Sequence, residues 1–180
     1  PFHLRMNTSS NVYLIGPMGV GKTTIGKALA KNLALEFVDS DQEIENRTGV
    51  SIMTIFDIEG DVGIRNREVK VILEMANRRG IVLATGGGVV LRPENRRALR
   101  NSGLVVYLHA TVEMQLERTR NNNNRPLLNK GSRRSVIEDL MHEREPLYRQ
   151  EADIVYVTDS RSPQTAAREI ASEIREKWQS

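Results

Sequence analysis

The chain has 180 residues, of which 39% are hydrophobic and 27% charged, with a formal net charge of +3 and no cysteine. That length suits one core, since a single core serves about 100 to 200 residues, and the composition excludes disordered, fibrous and collagen-like classes. Without cysteine there can be no disulfide, thiolate metal site or cysteine nucleophile, which is compatible with a reducing, cytoplasmic compartment.

The 26 basic residues are interspersed with 23 acidic ones, so no basic stripe marks a nucleic-acid partner. Arginine supplies 20 of the 26 and lysine 6, a bias suited to bidentate recognition of phosphate and carboxylate. The longest mostly apolar stretch, Ile81 to Leu91, is broken by Thr85-Gly86-Gly87-Gly88 and falls short of the roughly 18 to 20 residues that cross a bilayer. No membrane segment is expected. Pro1 to Asn11 lacks an apolar core with a cleavage site, and Met6 stands where a natural start could be, so Pro1 to Arg5 read as an added remnant.

In chain order, Val12 to Ile15 is a short apolar run ending in glycine, the pattern of a buried parallel strand. It feeds Gly16-Pro17-Met18-Gly19-Val20-Gly21-Lys22-Thr23, after which Ile25, Ala28, Leu29 and Leu33 follow helical spacing. Further apolar runs at Phe37-Val38, Ile81 to Ala84, Leu104 to Leu108 and Ile154 to Val157 alternate with helical stretches, which predicts a parallel α/β sheet. Thr48 to Met75 reads as two or three helices broken at Gly49 and Gly60, a substrate-side region too long for a simple crossover. Asn121 to Pro126 is polar, aperiodic and stopped by proline, a candidate lid. After Ser162-Pro163, the positions Ala166, Ile170 and Ile174 pack a last helix on the sheet.

The glycine loop matches G-x-x-x-x-G-K-[ST] in full. Its backbone N–H groups and the following helix N-terminus suit phosphate oxygens, with Lys22 on the β- and γ-phosphates and the Thr23 hydroxyl on Mg²⁺. Asp39-Ser40-Asp41 closes the second strand, at the sheet edge where open α/β folds gather ligands. One carboxylate can hold hydrated Mg²⁺ and the other can accept a bond from an attacking hydroxyl; capping of the following helix by the same acids is compatible with both. Gly86-Gly87-Gly88 presents bare backbone after a strand at the same edge. His3, His109 and His142 show no ligand spacing. Asn7-Thr8-Ser9 and Asn46-Arg47-Thr48 fit the glycosylation pattern by formula only.

Together with Arg65-Asn66-Arg67-Glu68, Arg125-Pro126-Leu127-Leu128 and Pro146-Leu147-Tyr148-Arg149, these motifs resemble the shikimate kinase family from Asn11 to Trp178. The resemblance implies a three-layer P-loop NTPase fold with a five-stranded parallel sheet flanked by helices. It implies one kinase domain, with a P-loop core at about 11–37, a substrate-binding region at about 41–75 and a lid at about 119–131. It implies transfer of the ATP γ-phosphoryl group to the 3-hydroxyl of shikimate, in aromatic amino-acid biosynthesis, with Mg²⁺ and without nucleic-acid or membrane partners, as a monomer. ATP would then be bound by Gly16, Met18, Gly19, Val20, Gly21, Lys22, Thr23, Thr24 and Arg125, with Arg118 and Arg161 on the adenine side. Lys22, Asp41 and Arg125 would be catalytic; Asp39 would hold Mg²⁺ through water beside Thr23. Asp41, Arg65, Gly86, Gly87, Gly88 and Arg149 would bind shikimate, Arg65 and Arg149 gripping its carboxylate and Glu68 orienting Arg65. Ile64 departs from the phenylalanine usual there, which predicts an altered shikimate KM, with Phe56 as the remaining aromatic wall.

Three rivals stand beside this reading. A kinase of the same loop class could act on gluconate or a nucleotide, although Arg65, Arg149 and the glycine run suit a small polyhydroxylated acid. A GTP-dependent switch lacks its guanine motif, since Asn129-Lys130-Gly131-Ser132 fails at the last position. A non-catalytic nucleotide-binding module has no need of Lys22, Thr23, Asp39, Asp41 and Arg125 together.

Overall fold

The computed structural model describes residues 10–120 and 132–179. Five strands, β1 (Asn11–Ile15), β2 (Glu36–Asp39), β3 (Ile81–Ala84), β4 (Gly103–His109) and β5 (Ile154–Val157), form one parallel sheet in the order β2-β3-β1-β4-β5. β1 is buried along its whole length, as its unbroken apolar run requires of a central strand covered on both faces. The chain leaves β1 for one edge of the sheet and later crosses to the other, so the carboxyl end of β1 lies at the point where strand order reverses. Ligands of open α/β sheets settle at such points.

Side chains alternate across the sheet and make two cores. On one face Val12, Leu14, Val106 and Leu108 meet α1 (Lys22–Leu33) and α7 (Pro163–Gln179), where Ala166, Ile170 and Ile174 are all buried. Trp178 packs at the margin of this cluster. On the other face Tyr13, Ile15, Leu83 and Tyr107 meet α2 (Ser40–Thr48), α3 (Ile52–Ala76), α4 (Pro93–Ser102) and α6 (Arg133–Glu151). The three-layer α/β/α architecture expected from sequence is therefore the one observed. α5 (Val112–Thr119) runs from β4 to the undescribed residues 121–131.

The two predicted breaks fall where expected. Gly49 caps α2 with φ 74°, and Gly60 kinks α3 with φ 72° and ψ −170°. Both lie in the left-handed half of the map, where a side chain is strained. Among the described residues no helix is long and apolar enough to cross a membrane. Pro1 to Arg5, Met6, His3, the Asn7-Thr8-Ser9 sequence, the Asn129 to Gly131 part of the guanine-motif comparison and Arg125 with most of the candidate lid lie outside the described residues.

Candidate active site

The glycine loop fills the gap between the carboxyl end of β1 and α1. Gly16 must lack a side chain, because a Cβ there would stand 2.5 Å from the Leu108 carbonyl oxygen. Gly21, at φ 89°, turns the chain into α1. The Lys22 ammonium donates to the carbonyls of Gly16 and Pro17 at 2.6 and 2.7 Å, which holds its charge at the mouth of the loop. Such a loop, closed by a helix N-terminus and a lysine, is a phosphate cradle.

Beside it, the Thr23 hydroxyl donates to Asp39 Oδ2 at 2.7 Å. Asp39 ends β2, and its Oδ1 accepts from the backbone N–H of Asp41 and of Gln42, so it caps α2 as well as facing the loop. Capping thus aims the motif at the cradle. The hydroxyl and carboxylate form an oxygen donor pair of the kind that holds Mg²⁺ with phosphate oxygens and water. Among the described residues no cluster of three or more His, Asp or Glu side chains could hold a metal ion.

A cavity of about 630 Å³ opens from this cradle and is lined by Lys22, Thr23, Asp39, Asp41, Phe56, Ile64, Arg65, Glu68, Gly86, Gly87, Gly88 and Arg144. Its floor is the triple glycine, where Gly86 and Gly88 leave no room for a side chain as their neighbours stand. A Cβ on Gly86 would lie 2.7 Å from Asp41 Oδ1, and one on Gly88 would lie 2.1 Å from Arg65 Nη1. The Gly86 N–H donates to Ser40 Oγ at 3.0 Å, so this residue contributes closeness of approach and not the substrate hydrogen bond expected of it. Gly88→Ala is expected to lower stability by about 1 to 3 kcal/mol, the usual range for overpacking, read as a lowered denaturant midpoint. A parent-like midpoint would show that Arg65 swings clear at no cost.

Arg65 and Glu68 are both buried and joined at 2.6 Å. Burial pulls the Arg65 guanidinium down, but the charges of Glu68 and Asp61 outweigh it and hold its pKa above the usual value. Burial pushes the Glu68 carboxyl up, opposed by Arg65 and Arg144. Accepting from Arg65 Nη1 at 2.6 Å, it fixes Arg65 against the glycine floor.

The sequence reading assigns the second carboxylate grip to Arg149, and the structure corrects this. Arg149 pairs with Glu145, lies 5.8 Å over the Tyr107 ring, and its side chain is 53% exposed outside the cavity. Arg144 occupies the expected place: it is 5% exposed and lines the cavity. The reason is helical phase. Ile137, Arg144, Tyr148 and Glu151 are the buried residues of α6, one stripe at steps of seven, four and three, while Glu145 and Arg149 lie on the next face. Arg65 and Arg144 each keep an Nε–H without a partner among the described residues, so this pair of cations is not saturated by the protein.

A second cavity, of about 380 Å³, adjoins the loop beyond Val20, Gly21 and Thr24, and Arg118 and Arg161 both line it. Arg118 reaches the carbonyls of Gly19 and Asp159, and Arg161 pairs with Asp159 and Glu169. Both residues therefore line one cavity that adjoins the loop. Met18 and Gly19 line the first cavity.

The shikimate kinase family model matches residues 18–175. The chain is 51% identical over 172 residues to a shikimate kinase of Hahella chejuensis, covering 96% of this chain and 90% of that one. It is 52% identical over 165 residues to a shikimate kinase of Pseudomonas aeruginosa, covering 92% and 96%. The structure of a shikimate kinase from Acinetobacter baumannii in complex with shikimate superposes with a TM-score of 0.92 at 45% identity, covering 94% and 95%. Cradle, carboxylates, arginine pair and these matches lead to one conclusion: the chain belongs to the shikimate kinase family.

Proposed function

We propose that this protein transfers the γ-phosphoryl group of ATP to the 3-hydroxyl of shikimate. The observation that carries this reading is that two buried cations, Arg65 and Arg144, line one cavity with Asp41 over the triple-glycine floor. A small acid bearing hydroxyls suits that lining: its carboxylate meets the guanidinium forks, which match it bidentately, and one hydroxyl meets Asp41. ³¹P-coupled NMR of the product tests it. Phosphate on the 3-hydroxyl is the expected result, and phosphate on another hydroxyl would contradict the placement of Asp41.

In this reading catalysis is positioning and charge neutralisation, with little covalent work for the protein. The loop amides and Lys22 hold the β- and γ-phosphates. Mg²⁺, when bound with ATP, neutralises phosphate charge; Thr23 and, through water, Asp39 would hold it. Asp41 accepts the hydrogen bond of the attacking hydroxyl and orients its lone pair. We assign Gly87 and Gly88 to contacts with the acceptor through backbone, and Arg118 and Arg161 to the adenine side. Arg125, from the sequence motif alone, we assign to the transferring phosphate, within a lid at about 119–131 and opposite an acceptor region at about 41–75. The resemblance also supports a monomer working in the cytoplasm.

Ile64 is buried and lines the cavity beside Phe56. An aliphatic side chain there leaves looser packing for the acceptor ring than an aromatic one. Ile64→Phe is expected to change shikimate KM by about tenfold, the low end of what one methylene-scale change in a pocket is worth, with ATP KM unmoved. Unchanged kinetics would remove this role for Ile64.

A further inference from the structure

Tyr148 touches neither the cradle nor Asp41, yet it sits at the junction of the two elements assigned to the acceptor carboxylate. It is 1% exposed, and its ring stacks on Tyr107 at 5.0 Å between centroids. Its hydroxyl donates to the Gly87 carbonyl oxygen at 2.6 Å. A Cβ placed on Gly87 would stand 3.3 Å from Arg144 Nη1 and 3.7 Å from this hydroxyl. Glycine floor, guanidinium and phenol therefore meet at one point. Tyr148 and Arg144 are also one turn apart on the buried stripe of α6, so whatever fixes Tyr148 fixes the root of Arg144.

We infer that Tyr148 is a positioning residue for the acceptor: its hydroxyl ties the Gly87 peptide to the Arg144 face of α6, so that floor and cation meet the substrate carboxylate in one register. The inference rests on the reading in which Arg144 and Gly87-Gly88 bind the acceptor. The hydroxyl is suited to this task. Burial pushes its pKa up to about 12, against the pull of the Arg144 charge, so it stays a donor at every working pH. Loss of that donor would leave the Gly87 carbonyl without its side-chain partner and free the peptide to rotate.

The test is Tyr148→Phe, which keeps the stacked ring and removes one oxygen. Shikimate KM is expected to rise about tenfold, as for a lost hydrogen bond near a charge, while MgATP KM stays within about twofold. Tyr107→Phe is the control. Tyr107 donates to Glu145, and neither lines the cavity, so loss of this hydroxyl is expected to leave shikimate KM unchanged. A purely structural role for Tyr148 would lower melting temperature and leave both KM values alone, and that result overturns the inference. If Tyr148→Phe does not accumulate folded, Gly87→Ala carries the test, since its methyl group crowds Arg144 Nη1 at 3.3 Å beside the same peptide without altering the ring. An unmoved shikimate KM in Gly87→Ala then overturns the inference. Failure of the parent protein to phosphorylate shikimate overturns the functional reading and this inference together; parent turnover with an unmoved KM in Tyr148→Phe overturns the inference alone.

Discussion

Asp41→Asn is expected to bind MgATP within about twofold of the parent and to lose about 10² to 10³ in kcat, inside the range assigned to a positioned acid–base group. Each tenfold loss is about 1.4 kcal/mol of barrier, so the carboxylate is being asked for about 3 to 4 kcal/mol. The geometry justifies isolating the effect. Asp41 lies in the first turn of α2, and its backbone N–H, not its side chain, is what Asp39 binds. An amide therefore keeps the cap and fits the space beside Gly86. What changes is that an amide cannot accept as strongly as a carboxylate or carry negative charge toward the attacking hydroxyl. Equilibrium binding of a non-hydrolysable ATP analogue and single-turnover transfer separate the two effects. Normal turnover in Asp41→Asn would remove Asp41 from the chemistry, and weakened nucleotide binding alone would move it to the metal side. Lys22→Met is expected to differ in kind, weakening nucleotide binding and transfer together, because that charge faces the phosphates in both states.

The second large effect separates two arginines five residues apart. Arg144→Met is expected to raise shikimate KM by about 10² or more, since loss of a buried charge partner costs about 2 to 5 kcal/mol. Arg149→Met is expected to change it by less than about twofold. The Arg149 side chain is 53% exposed in its pair with Glu145 and does not line the cavity, and ion pairs with a solvent-exposed partner contribute about 0 to 1 kcal/mol. Arg144→Lys guards against misreading a folding defect. It keeps the charge that Glu68 faces, so the protein should stay folded while losing the bidentate fork, with an intermediate KM. Steady-state kinetics on the three variants decide the matter. A larger shikimate defect in Arg149→Met than in Arg144→Met would contradict the assignment of Arg144 to the acceptor carboxylate.

Much of the site could be read from the chain alone, because its parts are local. The glycine loop, the Asp39-Ser40-Asp41 cap and the triple glycine each consist of adjacent residues with one backbone demand, and each follows a strand whose apolar run is plain. The five-stranded sheet followed from those runs, and the kinks at Gly49 and Gly60 from the residue type. The misassignment at Arg149 arose where local pattern was insufficient. Pro146-Leu147-Tyr148-Arg149 resembles a family motif, but which arginine enters a cavity depends on the phase of a 19-residue helix against the sheet. The signal was present in the spacing of Ile137, Tyr148 and Glu151, which place Arg144 and not Arg149 on the buried face. Gly86 shows the complementary limit: its N–H is taken by Ser40, 46 residues away in sequence, and no local pattern announces such a bond. Tyr148 stood in the sequence only as part of the Pro146 to Arg149 motif, and it became legible as a positioning group once its hydroxyl was seen on Gly87.

The most direct test of the central claim is ADP release from MgATP with no acceptor, with shikimate and with gluconate, the product being identified by mass. The account predicts rapid release with shikimate alone, and a product heavier by one phosphoryl group. Release with gluconate in place of shikimate, or with neither acid, would contradict it.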